Sequence, residues 1–304
     1  MRRILLLLSV LAGTLRTAAQ TDTVYVPYSA RYTPPVERTD GDGRCVRLEP
    51  RRMRRDTLLR GGVCFVRLPR LVLFLCIGQS NMAGRGRLDS AARGTLPEVF
   101  LLNDAGRFER AAEPLNRYST IRKELGMQGV GPAGSFAASY AARTGAPVGL
   151  VVNARGDTSI ERWLPGAEAD YYDQALRRIR AALAWGDVAG VLWHQGEADM
   201  RHPERYEARF RTLVGRLRAE LGDPALPVVF GEIARWNWTG RAEGTEPFNT
   251  MLRAVAIPQA VCVSSEGLEP LRDESDPHFS AASQRELGRR YAEAMLRLLH
   301  QDKH

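Results

Sequence analysis

No stretch of this 304-residue sequence reaches the roughly 20 consecutive apolar residues that a membrane-spanning helix needs. A stable membrane anchor is therefore not expected. Lysine is nearly absent: among 43 basic residues only Lys123 and Lys303 are lysines, although the formal net charge is +8. A bias toward arginine along the whole chain fits a GC-rich coding sequence better than a nucleic-acid surface, which would be local. One local cluster exists, Arg44, Arg47, Arg51, Arg52, Arg54, Arg55 and Arg60, but no aromatic residue stands among them for base stacking. It reads as a solvated basic linker, with an anionic polysaccharide or membrane surface as the open alternatives, and no nucleic-acid partner is expected. Cysteine is scarce too. Cys45, Cys64, Cys76 and Cys262 match no zinc-ligand spacing. Internal repeats and low-complexity tracts are also missing.

The N-terminus carries an export pattern. Arg2 and Arg3 precede the apolar run Ile4 to Leu11, and Thr17, Ala18 and Ala19 supply small residues for cleavage. Residues 1–19 are expected to be a signal peptide, which makes the mature protein secreted or periplasmic. Export permits disulfides, and Cys45 and Cys64 flank one segment and could pair. Cys76 and Cys262 sit in apolar runs, as small buried hydrophobes do. Residues 20–70 show no clear periodicity. Pro27, Pro34, Pro35, Gly41 and Gly43 break them up, so an irregular, Arg-rich N-terminal extension is expected.

From Leu71 the pattern changes. LVLFLCI (71–77), PVGLVVNA (147–154), VAGVLWH (188–194), PVVFGEI (227–233) and AVCVSS (260–265) are continuous apolar runs of strand length. Continuous rather than alternating runs predict strands buried on both faces. Helical patterns lie between and after them, at 134–143, 167–184, 203–221 and 281–299. Alternating strands and helices predict a three-layer α/β/α sandwich around a central parallel sheet of about five strands, occupying residues 71–300. Ligands bind such sheets at the carboxyl ends of the strands.

Chemistry-bearing residues fall there. GQSNMAGRG (78–86) follows the first run and places Ser80 on the loop, between Gln79 and Asn81, after a glycine suited to a tight turn. NARGDTSIERW (153–163) brings Gly156 to the same edge. WHQGEAD (193–199) brings the side-chain amide of Gln195 and the carboxylates of Glu197 and Asp199. His194 and His202 lack a zinc-type HExxH spacing, so no metal is expected. DESDPHFS (273–280) places His278 on a loop before the last helix. A nucleophile, a base and oxyanion donors are the parts of an ester hydrolase. The base needs a third group, usually a carboxylate, to orient it.

GQSNMAGRG and HQGEAD together, with GVGPAGSFA (129–137), TSIERW (158–163) and HFSAASQRELGRRYA (278–292), resemble the SGNH hydrolases. Within them the chain is similar to the sialate O-acetylesterase-like group that includes carbohydrate esterase family six. The resemblance covers about residues 71–299 and implies a flavodoxin-like fold. It also implies a serine esterase that removes acetyl groups from carbohydrates such as acetylated xylan, sialic acid or related glycans, without metal or organic cofactor. Position by position it makes Ser80 the nucleophile, His278 the base and Gly156 a backbone oxyanion donor. Gln195 stands where other SGNH enzymes have asparagine. Gln79 and Asn81 become oxyanion or substrate-binding candidates.

Two positions depart from the pattern. The usual aspartate three residues before the histidine is replaced by Ser275, which leaves Asp276 or Glu197 to orient His278. Asp157 follows Gly156 where the group often has a second glycine, and a carboxylate facing the oxyanion would oppose it. These departures sustain an alternative, a catalytically impaired carbohydrate-binding protein on the SGNH fold. A basic adhesion protein built on the Arg-rich segment is a further rival.

Overall fold

A computed structural model of the chain describes residues 23–27, 57–60 and 63–301. The chain divides into an N-terminal unit within its first 70 residues and a larger unit from Leu71 onward.

The N-terminal unit holds strands β1 (Thr23–Pro27), β2 (Thr57–Arg60) and β3 (Val63–Pro69), paired antiparallel in the order β1-β3-β2. These residues lie in the stretch expected to be irregular, so that expectation is corrected for them. The signal was there in β-branched and aromatic residues, TVYV and VCFV, and in Gly61-Gly62. Register pairs Arg60 with Val63, and two glycines separate the strands in sequence. The expected signal peptide, Cys45 with its suggested pairing to Cys64, and the arginines from Arg44 to Arg55 lie outside the described residues.

The larger unit is built on a seven-stranded sheet. Its strands are β4 (Leu71–Gly78), β5 (Val99–Leu102), β6 (Phe108–Arg110), β7 (Val148–Val152), β8 (Gly186–His194), β9 (Val228–Gly231) and β10 (Ala260–Val263). Their order is β10-β9-β8-β4-β7-β5-β6, parallel throughout except for the antiparallel edge strand β6. All five expected strands are present. The two others, β5 and β6, extend one edge with runs of four and three residues, too short to leave a periodic trace.

Helices cover both faces: α1 (Ser80–Ala83), α2 (Pro132–Thr144), α3 (Tyr171–Ala182), α4 (Pro203–Leu221), α5 (Glu246–Ala254) and α6 (Ala281–Gln301). The central strand shows why its apolar run is unbroken. Leu71, Leu73, Leu75 and Ile77 point into one core with Ile179 of α3 and Phe210 of α4. Phe74 and Cys76 point into the other, with Phe136 of α2 and Leu287 and Tyr291 of α6. A strand with a core on each face needs apolar residues at every position. Burial pushes the thiol of Cys76 far up and that of Cys262 up to about 12, so these two cysteines, free among the described residues, are packing groups rather than nucleophiles. No helix among the described residues is long and apolar enough to cross a membrane.

Candidate active site

The carboxyl end of β4 is forced close to β8. Gly78 has φ of +137°, and a Cβ there would fall 2.1 Å from the carbonyl oxygen of His194. Only glycine fits both the conformation and the approach. The chain then turns at once, Gln79 N–H donating to His194 O at 2.9 Å, and Ser80 opens the short helix α1. Ser80 thus lies at the carboxyl edge of the central strand, where a first-turn N–H has no partner within the helix.

His278 meets it from the loop before α6. The Nε2 of His278 lies 3.0 Å from Ser80 Oγ, and its Nδ1 lies 2.7 Å from Asp276 Oδ1. The same Oδ1 accepts the backbone N–H of His278 at 3.0 Å, an Asx turn across Pro277. This turn explains how a carboxylate only two residues from the histidine reaches its ring. The second oxygen, Oδ2, accepts Arg272 Nε at 2.8 Å, and Trp236 Nε1 donates to the Asp276 carbonyl at 2.8 Å. Burial alone would raise the Asp276 carboxyl. The backbone N–H and imidazole of His278, together with Arg272, outweigh it and hold the group below the ordinary carboxylate range. Ser275, at the usual aspartate position, bonds instead to the exposed Asp273.

Glu197, the other carboxylate expected beside His278, does not contact its ring. Its Oε1 accepts Asn81 Nδ2 at 2.6 Å and lies 3.7 Å from His194 Nε2. The expectation for Asn81 is also corrected. Its Nδ2 donates to Glu197 and, at 3.1 Å, to Pro277 O, while its Oδ1 accepts Phe279 N at 3.1 Å and Gln284 Nε2 at 2.9 Å. Asn81 is fully buried and has no bonding capacity left for a substrate. It clamps the backbone on both sides of His278 to the residue beside the serine.

Gln195 is corrected in the same way. Its Nε2 donates to Asp199 Oδ2 at 2.6 Å and Thr158 O at 2.9 Å, with Gln79 Oε1 at 3.1 Å. Two amide hydrogens facing three protein acceptors leave no donor for an oxyanion. Asp199 Oδ2 also accepts Ile160 N–H at 2.7 Å, so the Gln195–Asp199 pair ties the 195–199 loop to the 158–163 segment. His194 is buried, with Nδ1 at 2.7 Å from the Tyr291 hydroxyl. Among the described residues no group of three or more His, Cys, Asp or Glu side chains could hold a metal ion.

A cleft of about 260 Å³ opens over Ser80, His278, Gly156 and Gln79. Asp157 lies on its rim, with φ of +62°, a conformation aspartate tolerates better than most residues. Its side chain is 85% exposed and meets Lys123 Nζ at 3.4 Å, so it is solvated and paired rather than buried beside the serine. Sequence reasoning missed the cleft residues Arg85, Lys123, Met127 and Trp238, among others. Arg85 was legible as part of GQSNMAGRG. Trp238 had a weaker signal, the WNW that follows β9 at a strand's carboxyl end. Nothing marked Lys123 or Met127, which arrive on the long 111–131 connection.

The parallel sheet, the serine at its carboxyl edge and the histidine facing it define a carboxylic ester hydrolase of the SGNH type. Residues 70–297 match the family described as carbohydrate esterase, sialic acid-specific acetylesterase, and the chain belongs to that family. It is 30% identical over 250 residues to a probable carbohydrate esterase of Arabidopsis thaliana, across 75% of this chain and 92% of that protein. A crystal structure of an Arabidopsis thaliana protein superposes with a TM-score of 0.66 at 29% identity, covering 75% of this chain and 99% of the other. NanS shares the fold at 18% identity and a TM-score of 0.57, over 77% of this chain and 99% of its own. So does a carbohydrate acetylesterase from Xanthomonas citri, at 21% identity and 0.56, over 81% of this chain and 60% of its own.

Proposed function

We propose that this carbohydrate esterase hydrolyses O-acetyl esters on a glycan through an acetyl-enzyme on Ser80. The observation that carries this is the unbroken chain from Ser80 Oγ to His278 Nε2 and from His278 Nδ1 to Asp276, at 3.0 and 2.7 Å. His278 takes the Ser80 proton as Oγ bonds the acetyl carbon and the carbonyl electron pair moves onto oxygen. In this mechanism the backbone N–H groups of Ser80 and Gly156, both in the cleft lining, donate to that oxygen. Collapse re-forms the carbonyl and expels the sugar oxygen, which takes the proton from His278. Water then attacks the acetyl-enzyme, gives its proton to His278, and releases acetate while Ser80 regains its hydrogen. Trp238 gives the cleft an aromatic wall suited to a sugar ring.

The impaired-binder alternative rested on Ser275 and Asp157. Asp276 stands within hydrogen-bond distance of His278, and Asp157 is exposed, so neither position now favours it. The substrate class is tested by measuring acetate release from acetylated xylan, O-acetylated sialic acids and other acetylated glycans. At least one should be deacetylated faster than p-nitrophenyl acetate is at equal concentration. Hydrolysis of the aryl ester with no acetate from any glycan would overturn the carbohydrate assignment.

Export is part of the same proposal, supported by Arg2, Arg3, the run Ile4–Leu11 and Ala19. N-terminal sequencing of the protein from its native host should begin near Gln20. An intact Met1 on cytosolic protein would refute it.

A further inference from the structure

An oxyanion in a serine esterase is met by backbone N–H groups, by side-chain donors or by both. The amide expected to supply it, Gln195, is engaged by Asp199 and Thr158. Another donor lies in the cleft. Arg85 follows α1 on the Gly84-Arg85-Gly86 loop, which is fixed by backbone bonds to the 129–130 segment. Gly129 N donates to Gly84 O at 3.1 Å, Gly86 N to Val130 O at 3.0 Å and Val130 N to Gly86 O at 2.8 Å. With its backbone held there, the half-buried Arg85 side chain lines the cleft beside Ser80 and Gly156. Its Nη1 donates to Gly84 O at 2.9 Å. Its Nη2 lies 2.5 Å from where a Cβ on Gly156 would stand, and Ser80 Cβ is 3.4 Å from that same point. Guanidinium and nucleophile therefore converge over one glycine, whose missing side chain leaves Arg85 Nη2 room beside Ser80.

We propose that Arg85 is a catalytic residue, the side-chain donor to the oxyanion formed when Ser80 attacks the acetyl carbonyl. This rests on Ser80 being the nucleophile. Among the described residues no carboxylate lies within ion-pair distance of Arg85, so its charge is not cancelled locally. Of the neighbouring carboxylates, Asp157 pairs with Lys123, Glu197 bonds Asn81, and Asp276 bonds His278 and Arg272. Burial lowers the Arg85 pKa, but a guanidinium remains charged in proteins, and partial desolvation strengthens its pull on a developing anion. As Oγ bonds the carbonyl carbon, the displaced electron pair gathers on oxygen opposite Nη2. When the tetrahedral species collapses, that pair returns to the carbonyl and the contact weakens. Stabilisation confined to the charged species lowers the barrier and changes kcat rather than KM.

The test uses the full-length protein and p-nitrophenyl acetate, a neutral ester with no carboxylate for Arg85 to bind. Arg85→Gln should lower kcat by about 10²–10³-fold with KM within a few-fold of wild type. Arg85→Lys should retain more activity than Arg85→Gln, and added guanidinium ion should restore part of the kcat of Arg85→Ala. A purely structural role would not produce that rescue. Wild-type kcat in folded Arg85→Gln overturns the proposal. So does a rise in KM alone, or a loss confined to acidic acetylated sugars, which would make Arg85 a substrate-carboxylate site. Should Arg85→Gln fail to fold, absence of guanidinium rescue in Arg85→Ala overturns it. Ser80→Ala run in parallel separates the two claims: an active Ser80→Ala defeats the esterase mechanism itself, whereas an inactive one beside a normal Arg85→Gln defeats only the role of Arg85.

Discussion

Ser80→Ala should lose at least about three orders of magnitude in kcat for acetyl release while keeping the fold. The loss follows from geometry. Ser80 Oγ is the oxygen at 3.0 Å from His278 Nε2, and alanine leaves the imidazole facing a methyl group that can form no acetyl-enzyme. Any residual rate would come from water positioned by His278 and the remaining oxyanion donors. Stability should change little, because the substitution removes one hydroxyl and leaves the surrounding clamp intact. Asn81 still joins Glu197, Pro277 and Phe279, and Gly78 still turns β4 against β8. Mass spectrometry of enzyme quenched during turnover offers a second measurement. Wild type should carry an added acetyl group on the peptide containing Ser80, and the variant none. Near-normal turnover by purified Ser80→Ala would remove the basis of the mechanism.

Asp276→Asn should lower kcat by about 10³–10⁴-fold, with Glu197→Gln losing far less. In the wild type the Asp276 carboxylate accepts the proton on Nδ1, which leaves Nε2 free to receive the serine proton. An asparagine that turns its N–H₂ toward Nδ1 selects the other tautomer, with the proton on Nε2 directed at Ser80. Glu197 touches Asn81 rather than His278, and glutamine can still accept that bond through its own oxygen. Comparable large losses in both variants, or in Glu197→Gln alone, would contradict the assignment of Asp276. The pair also has a pH signature. Because the folded pKa of Asp276 is depressed, its carboxylate contributes stability above the unfolded aspartate pKa of about 3.9, and that contribution is lost as pH falls through the lower folded value. The thermal stability gap between wild type and Asp276→Asn should therefore narrow in acid.

Much of the architecture was written locally. Helix α4 has the expected limits, Pro203 to Leu221, because a proline starts it, an apolar stripe runs along it, and Gly222 ends it in the left-handed region with φ of +71°. Helix α5 and strands β5 and β6 escaped notice. Nine, four and three residues are too few for a period to emerge, and long-range packing rather than local preference holds them.

The sequence by itself determined the parallel sheet, the edge where chemistry collects, and the places of a serine after the central strand and a histidine before the last helix. Those features are encoded in contiguous runs, and a buried strand or an amphipathic helix specifies itself within ten or twenty residues. Only the tertiary structure decided how the polar groups at that edge are divided between catalysis and support. Asp276 and Glu197 were equal candidates by composition, yet an Asx turn through Pro277 brings one to the imidazole while Asn81 holds the other. Gln195 turns its amide to Asp199 and Thr158 for the same reason. A hydrogen-bond donor serves whichever acceptor the fold sets within about 3 Å, and contacts between residues some hundred positions apart in the chain cannot be read from either segment alone.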